Sequence, residues 1–99
     1  YLSKVESTFV NRVKGLSMYP EYLENDIIII RSDYYPTDGD DIVVSINSSE
    51  YTLKRYDKLN NKLVALNSEY AKSVTIDESD EVVILGVVDA IVREKKRKK

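Results

Sequence analysis

Four consecutive isoleucines, Ile27-Ile28-Ile29-Ile30, constrain this chain more than any other feature. Successive side chains of a β-strand point to opposite faces, so a run that is apolar at every position predicts a strand covered on both sides and running through the core. Other apolar, β-branched runs of strand length are set off by Gly, Asn, Asp and Pro. The strands expected are residues 8–13, 26–31, 40–47, 50–57, 62–66, 73–76 and 82–93. Ser48-Ser49 is read as a hairpin turn, and Tyr35-Pro36-Thr37-Asp38-Gly39 and Asn60-Asn61 as further turns. Residues 17–25 leave room for a short helical turn. The pattern predicts a mainly β domain of twisted antiparallel sheets with little helix, spanning residues 1–93, followed by a basic tail, residues 94–99.

The 99 residues suffice for one modest core, and 42% hydrophobic with 32% charged residues is an ordinary globular balance. No apolar run reaches the roughly 20 residues that span a bilayer, and no signal-peptide pattern opens the chain, so a soluble, cytoplasmic protein without a membrane partner is expected. A start at Tyr1 rather than Met suggests an upstream portion.

Two absences narrow the chemistry. Without Cys there is no thiol nucleophile, and without His there is no Ser-His-Asp triad and no imidazole ligand. The acids of Asp38-Gly39-Asp40-Asp41 lack the alternation of a calcium loop and are read as a turn, so neither a metal nor a cofactor is expected. Residues 1–92 hold nine basic against sixteen acidic side chains, a net of −7. An acidic body repels phosphate, so DNA binding by the intact protein would fall to another portion. The tail Lys95-Lys96-Arg97-Lys98-Lys99 reads as a nucleic-acid contact, an address signal or a solvated terminus.

In Gly15-Leu16-Ser17-Met18-Tyr19-Pro20 a strand gives way at a Gly to a tight segment closed by a Pro. Such a turn can expose a hydroxyl and aim backbone N–H groups at one point, which suits a nucleophile beside an oxyanion hole. A turn or helix-capping serine has the same local signature. Lacking His, a serine nucleophile needs a carboxylate or a neutral lysine as base. Burial can lower a lysine pKa by about 3 units, on the order of 4 kcal/mol, which makes lysine feasible. In Tyr51-Thr52-Leu53-Lys54-Arg55-Tyr56, alternation puts Thr52, Lys54 and Tyr56 on one face. A solvent-facing strand lysine fits the same pattern.

Gly15-Leu16-Ser17-Met18 with Pro20, then Asn25-Asp26 before an apolar strand, Asp38-Gly39-Asp40-Asp41-Ile42-Val43-Val44, and Tyr51-Thr52-Leu53-Lys54-Arg55 resemble the ordered motifs of LexA-type serine peptidases. That family comprises LexA, phage repressors and UmuD-type proteins. Leu66-Asn67-Ser68-Glu69-Tyr70 is similar to the family's loop after the lysine strand, and the segment from Val82 to Arg93, with Leu85-Gly86-Val87-Val88, to its last strands. The resemblance implies a LexA-like C-terminal domain with Ser17 as nucleophile, Lys54 as general base and the N–H groups of Ser17 and Met18 as oxyanion hole. It also implies autocleavage upstream of the domain in the DNA-damage (SOS) response, promoted by a RecA-like activator on single-stranded DNA, with DNA bound through a missing N-terminal domain and an antirepressor as a further partner. Asn25 stands where the family usually has Gly, and Asn tolerates positive φ relatively well. The scissile Ala-Gly or Cys-Gly pair is absent, because Lys14, Asp38 and Leu85 precede the three glycines.

Three other functions share these residues: a UmuD-like accessory subunit of a translesion polymerase, a signal peptidase, and a non-cleaving dimerisation or partner-binding module. Symmetric operators call for a dimeric repressor. The run from Val82 to Val92 is apolar on both faces, which suits either a central strand or an association surface. The resemblance favours a homodimer using Val87, Val88 and Ile91.

Overall fold

A computed structural model describes residues 7–93. It contains seven strands and no helix: β1 (Thr8–Arg12), β2 (Ile27–Arg31), β3 (Asp41–Ile46), β4 (Thr52–Asp57), β5 (Lys62–Val64), β6 (Val74–Thr75) and β7 (Val82–Val92). With no helix, the described residues include none long and apolar enough to cross a membrane. All seven expected strands are present, and the residues 94–99 assigned to a basic tail lie outside the described residues. One antiparallel sheet has the order β1-β2-β7-β3-β4-β5-β6, so the last strand joins the β1–β2 hairpin to the β3–β6 meander.

Expected turn residues occupy left-handed backbone: Ser48 (φ 65) and Asn61 (φ 56) close hairpins and Gly39 (φ 88) precedes β3, while Asn47 (φ 53), expected as the end of the third strand, belongs to the turn instead. Asn25 (φ 77) turns the chain into β2, the conformation for which Asn is the best non-glycine substitute. Residues 17–25 form turns, with a single helix-like bond from Tyr22 N–H to Met18 O (3.0 Å).

The burial of the isoleucine run differs from expectation. Ile28 and Ile30 are buried, but Ile27 and Ile29 are half-exposed. The strand closed on both faces is β3, whose Val43 joins one core with Met18, Tyr22, Ile28 and Ile30, while Ile42 and Val44 join a second with Leu63 and Val87. The reason is position: β3 lies at the middle of the sheet, whereas β2 lies next to the edge and only one of its faces is roofed by the turn carrying Met18 and Tyr22.

Two register shifts mark β7, one at Leu85 against β3 and one at Asp89 against β2. Each extra residue inverts which side chains face which core. Val87 therefore sits in the second core at 5% exposure and Val88 packs against the first, so only Ile91 of the three residues expected at a dimer interface is exposed. Beyond the second shift Ala90 and Val92 share an outward face with Val10, Ile27 and Ile29. The end of β7 is fastened where Arg93 Nε and Nη2 donate to the buried Asp26 carboxylate at 2.8 and 2.7 Å.

Candidate functional site

The chain leaves β1 through Val13, which is bonded both ways to the start of β2: Val13 N–H to Asp26 O and Asn25 N–H to Val13 O, each 2.8 Å. Gly15 then adopts φ 79, and a Cβ there would come within 3.0 Å of Tyr70 Oη, so both backbone and space call for glycine. Tyr19 N–H to Leu16 O (3.1 Å) closes the turn. Met18 and Tyr22 are buried beneath it at 2% and 4% exposure, leaving Ser17 half-buried at the rim.

A cleft of about 230 Å³ opens beside Ser17, with Arg12, Lys14, Met18, Tyr51 and Thr52 among its walls. Lys54, the next residue on Thr52's face of β4, is buried at 8% exposure. Its amine donates to Thr52 Oγ1 at 3.0 Å and to Leu53 O at 3.5 Å. Both acceptors are neutral, and burial pushes the Lys54 pKa below the usual lysine value. No hydrogen bond joins Lys54 to Ser17. What the fold brings to one cleft is Ser17 and Thr52, with the lysine amine bonded to the threonine hydroxyl.

A second network ties the serine turn to β3 and β4. Tyr22 Oη donates to Asp41 Oδ2 (2.6 Å), and Arg55 donates through Nε to Asp41 Oδ1 (2.7 Å) and through Nη2 to Glu21 Oε2 (2.6 Å). Burial, then the bond to Asp41, raises the Tyr22 pKa, and the bonds to Asp41 and Glu21 raise that of Arg55. Arg55 directly follows Lys54, so the network fixes the serine turn relative to the lysine strand. The acids read as a turn are engaged in this way and locally: Asp38 Oδ1 accepts from Lys58 N–H and Asp40 Oδ2 from Thr37 N–H, both 2.8 Å.

The family model described as Peptidase S24-like matches residues 1–89. The chain belongs to this Peptidase S24-like family. It is also 34% identical, over 87 residues, to the LexA repressor of Petrotoga mobilis (strain DSM 10674 / SJ95), a match that covers 86% of this chain and 42% of the relative. The chain thus spans less than half the length of that relative. The LexA-type resemblance of its motifs is a true family relationship, and the serine turn and lysine strand fall inside the matched segment.

Sequence reasoning missed two parts of this S24-like site. Glu21, Tyr22, Asp41 and Arg55 lie up to 34 residues apart, and nothing local signals their convergence. Asn67 was legible only as part of a family-like loop, yet it bonds the serine turn directly: its N–H donates to Ser17 O (2.9 Å) and its Nδ2 to Leu16 O (3.0 Å).

Proposed function

We propose that this chain is the C-terminal domain of a LexA-like or phage repressor, in which Ser17 and Lys54 form a dyad that cleaves the protein's own chain upstream of the domain. The observation that carries the reading is the Lys54 amine: desolvated, without a carboxylate partner, and bonded to the hydroxyl of Thr52, a residue that borders the same cleft as Ser17. A lysine in that setting loses its proton more readily than one in water, as a general base must. Rotation of the side chain away from Thr52 would let neutral Nζ take the Ser17 proton while Oγ attacks a carbonyl carbon. The resulting oxyanion would be met by the N–H groups of Ser17 and Met18, and the proton would pass on to the leaving amine.

The wider role follows the same reading. Cleavage would part a DNA-binding N-terminal domain from this one, inactivating the repressor in the DNA-damage response. A RecA-like activator on single-stranded DNA, or an antirepressor, would set its timing. Homodimerisation is supported by the apolar outward face around Val10, Ala90 and Val92; Ile91 is exposed on the opposite face, across from Ile28.

In the full-length protein Ser17→Ala and Lys54→Ala should each abolish self-cleavage with the fold retained, and cleavage of the wild type should quicken as pH rises. Full-length protein that stays intact at alkaline pH with or without activator would overturn the reading. That outcome would favour a non-cleaving binding module, a second reading suited to an amine that donates to Thr52 rather than Ser17.

A further inference from the structure

We infer that Asn67 is a positioning residue that sets the oxyanion hole of the Ser17 site, an inference that rests on the dyad reading above. Asn67 follows β5, and its own carbonyl is held by Tyr70 N–H and Ala71 N–H, both at 3.1 Å. From this anchored loop it grips two successive carbonyls of the serine turn, Leu16 O through Nδ2 and Ser17 O through its N–H. The peptide units on either side of Ser17 are trans, so each N–H points opposite to its C=O. Holding Leu16 O toward Asn67 therefore turns the Ser17 N–H away from it, and holding Ser17 O does the same for the Met18 N–H.

Neither N–H donates to any group among the described residues, although the Met18 side chain beneath them is buried and both residues line the cleft. Backbone N–H groups without a protein partner are uncommon beside a packed core. A consecutive pair flanking a serine hydroxyl, with its plane fixed from behind, is a donor set for the anion of a tetrahedral intermediate. Asn67 touches neither the nucleophile's oxygen nor the reacting atoms, and it acts by restricting the rotation of two peptide planes.

The test needs no cleavage segment. A fluorophosphonate reports on an activated serine: the Ser17 Oγ–P bond forms, fluoride leaves, and the hydroxyl proton goes to Lys54. Labelling of Ser17 can be timed by mass spectrometry in the wild type, in Asn67→Ala and in the isosteric Asn67→Asp, with melting temperatures recorded alongside. At pH 8 both variants should label at least ~10-fold more slowly than the wild type, because a truncated side chain or an ionised carboxylate cannot donate to Leu16 O. As pH falls through the carboxyl range, the Asp variant regains an O–H donor, so its rate relative to wild type should climb while the Ala ratio stays flat. Variants that label at the wild-type rate, or an Asp ratio as flat as that of Ala, would refute the role of Asn67 and leave the dyad standing. A wild-type protein inert to the probe would instead remove the dyad, and this inference with it.

Discussion

Lys54 holds its amine out of water with only neutral oxygens as company, and that placement has a thermodynamic sign. Its folded-state pKa lies below the ordinary 10.5. Between the two values the unfolded chain binds more protons than the native one, so stability rises with pH across that window; below it both states are protonated and the cost of desolvation is carried in full. Thermal melts from neutral pH to about pH 10 should show the rise, and Lys54→Met should remove it while raising neutral-pH stability by on the order of 1 kcal/mol. A variant no more stable than wild type at neutral pH would argue against a desolvated amine. Asp26 has the opposite sign. The bond from Arg93, outweighing burial, lowers its pKa, so its contribution is present above the ordinary carboxylate value of 3.8 and lost as pH falls through the folded value. Arg93→Ala should therefore move the acid-unfolding midpoint to higher pH, read by circular dichroism. Ser17 and Lys54 were singled out by the resemblance of their surrounding motifs to the family, since the local pattern of each also fits a turn serine and a solvent-facing strand lysine. The threonine partner of Lys54 was legible only as a face-mate, since nothing in the sequence reports which acceptor an amine selects.

Strand β7 shows what local pattern conveys and where it stops. Its length and apolar character were readable, as were the turns at Ser48 and Asn61, because these depend on adjacent residues alone. The shifts at Leu85 and Asp89 were not, since a bulge is defined against a partner strand. Gly86 is the hinge of that arrangement: a Cβ there would lie 2.7 Å from Arg31 O and 2.7 Å from Ile30 Cγ2. Gly86→Ala must push β7 away from β2, at a cost of about 2–3 kcal/mol. Chemical denaturation should register that loss with little change in slope, and an unchanged midpoint would mean that β2 can yield. The network on β3 and β4 makes a parallel case. Asp41→Ala removes the acceptor of the buried Tyr22 hydroxyl together with two Arg55 bonds, and a loss of about 2 kcal/mol is expected. Loosening of the serine turn should accompany it, seen as faster amide exchange at Met18 and Tyr22.

For the molecule as a whole, the proposed homodimer would form through the outward face of β1, β2 and β7. Val10 and Val92 are 67% and 52% exposed on that face. Sedimentation at micromolar concentration should find a dimer, and Val10→Glu or Val92→Glu should yield monomers with melting temperatures within about 2 °C of wild type, as for other exposed positions. A wild type that is already monomeric would end the proposal. The sequence indicated an apolar terminal run but not which side chains the chain itself would cover, because two bulges reassign Val87 and Val88 to internal cores. The same strand governs assembly in time. β1 and β2 can pair as soon as both exist, and β3 to β6 form a meander of neighbours, yet these two halves share no direct strand pairing. Only β7, the last of the described strands to be synthesised, pairs with both and completes the single sheet. During translation the growing chain thus carries two unmated sheet edges, beside β2 and β3, until that final segment clears the ribosome, and a stall or truncation before residue 82 would strand it as two hairpin-like fragments open to aggregation.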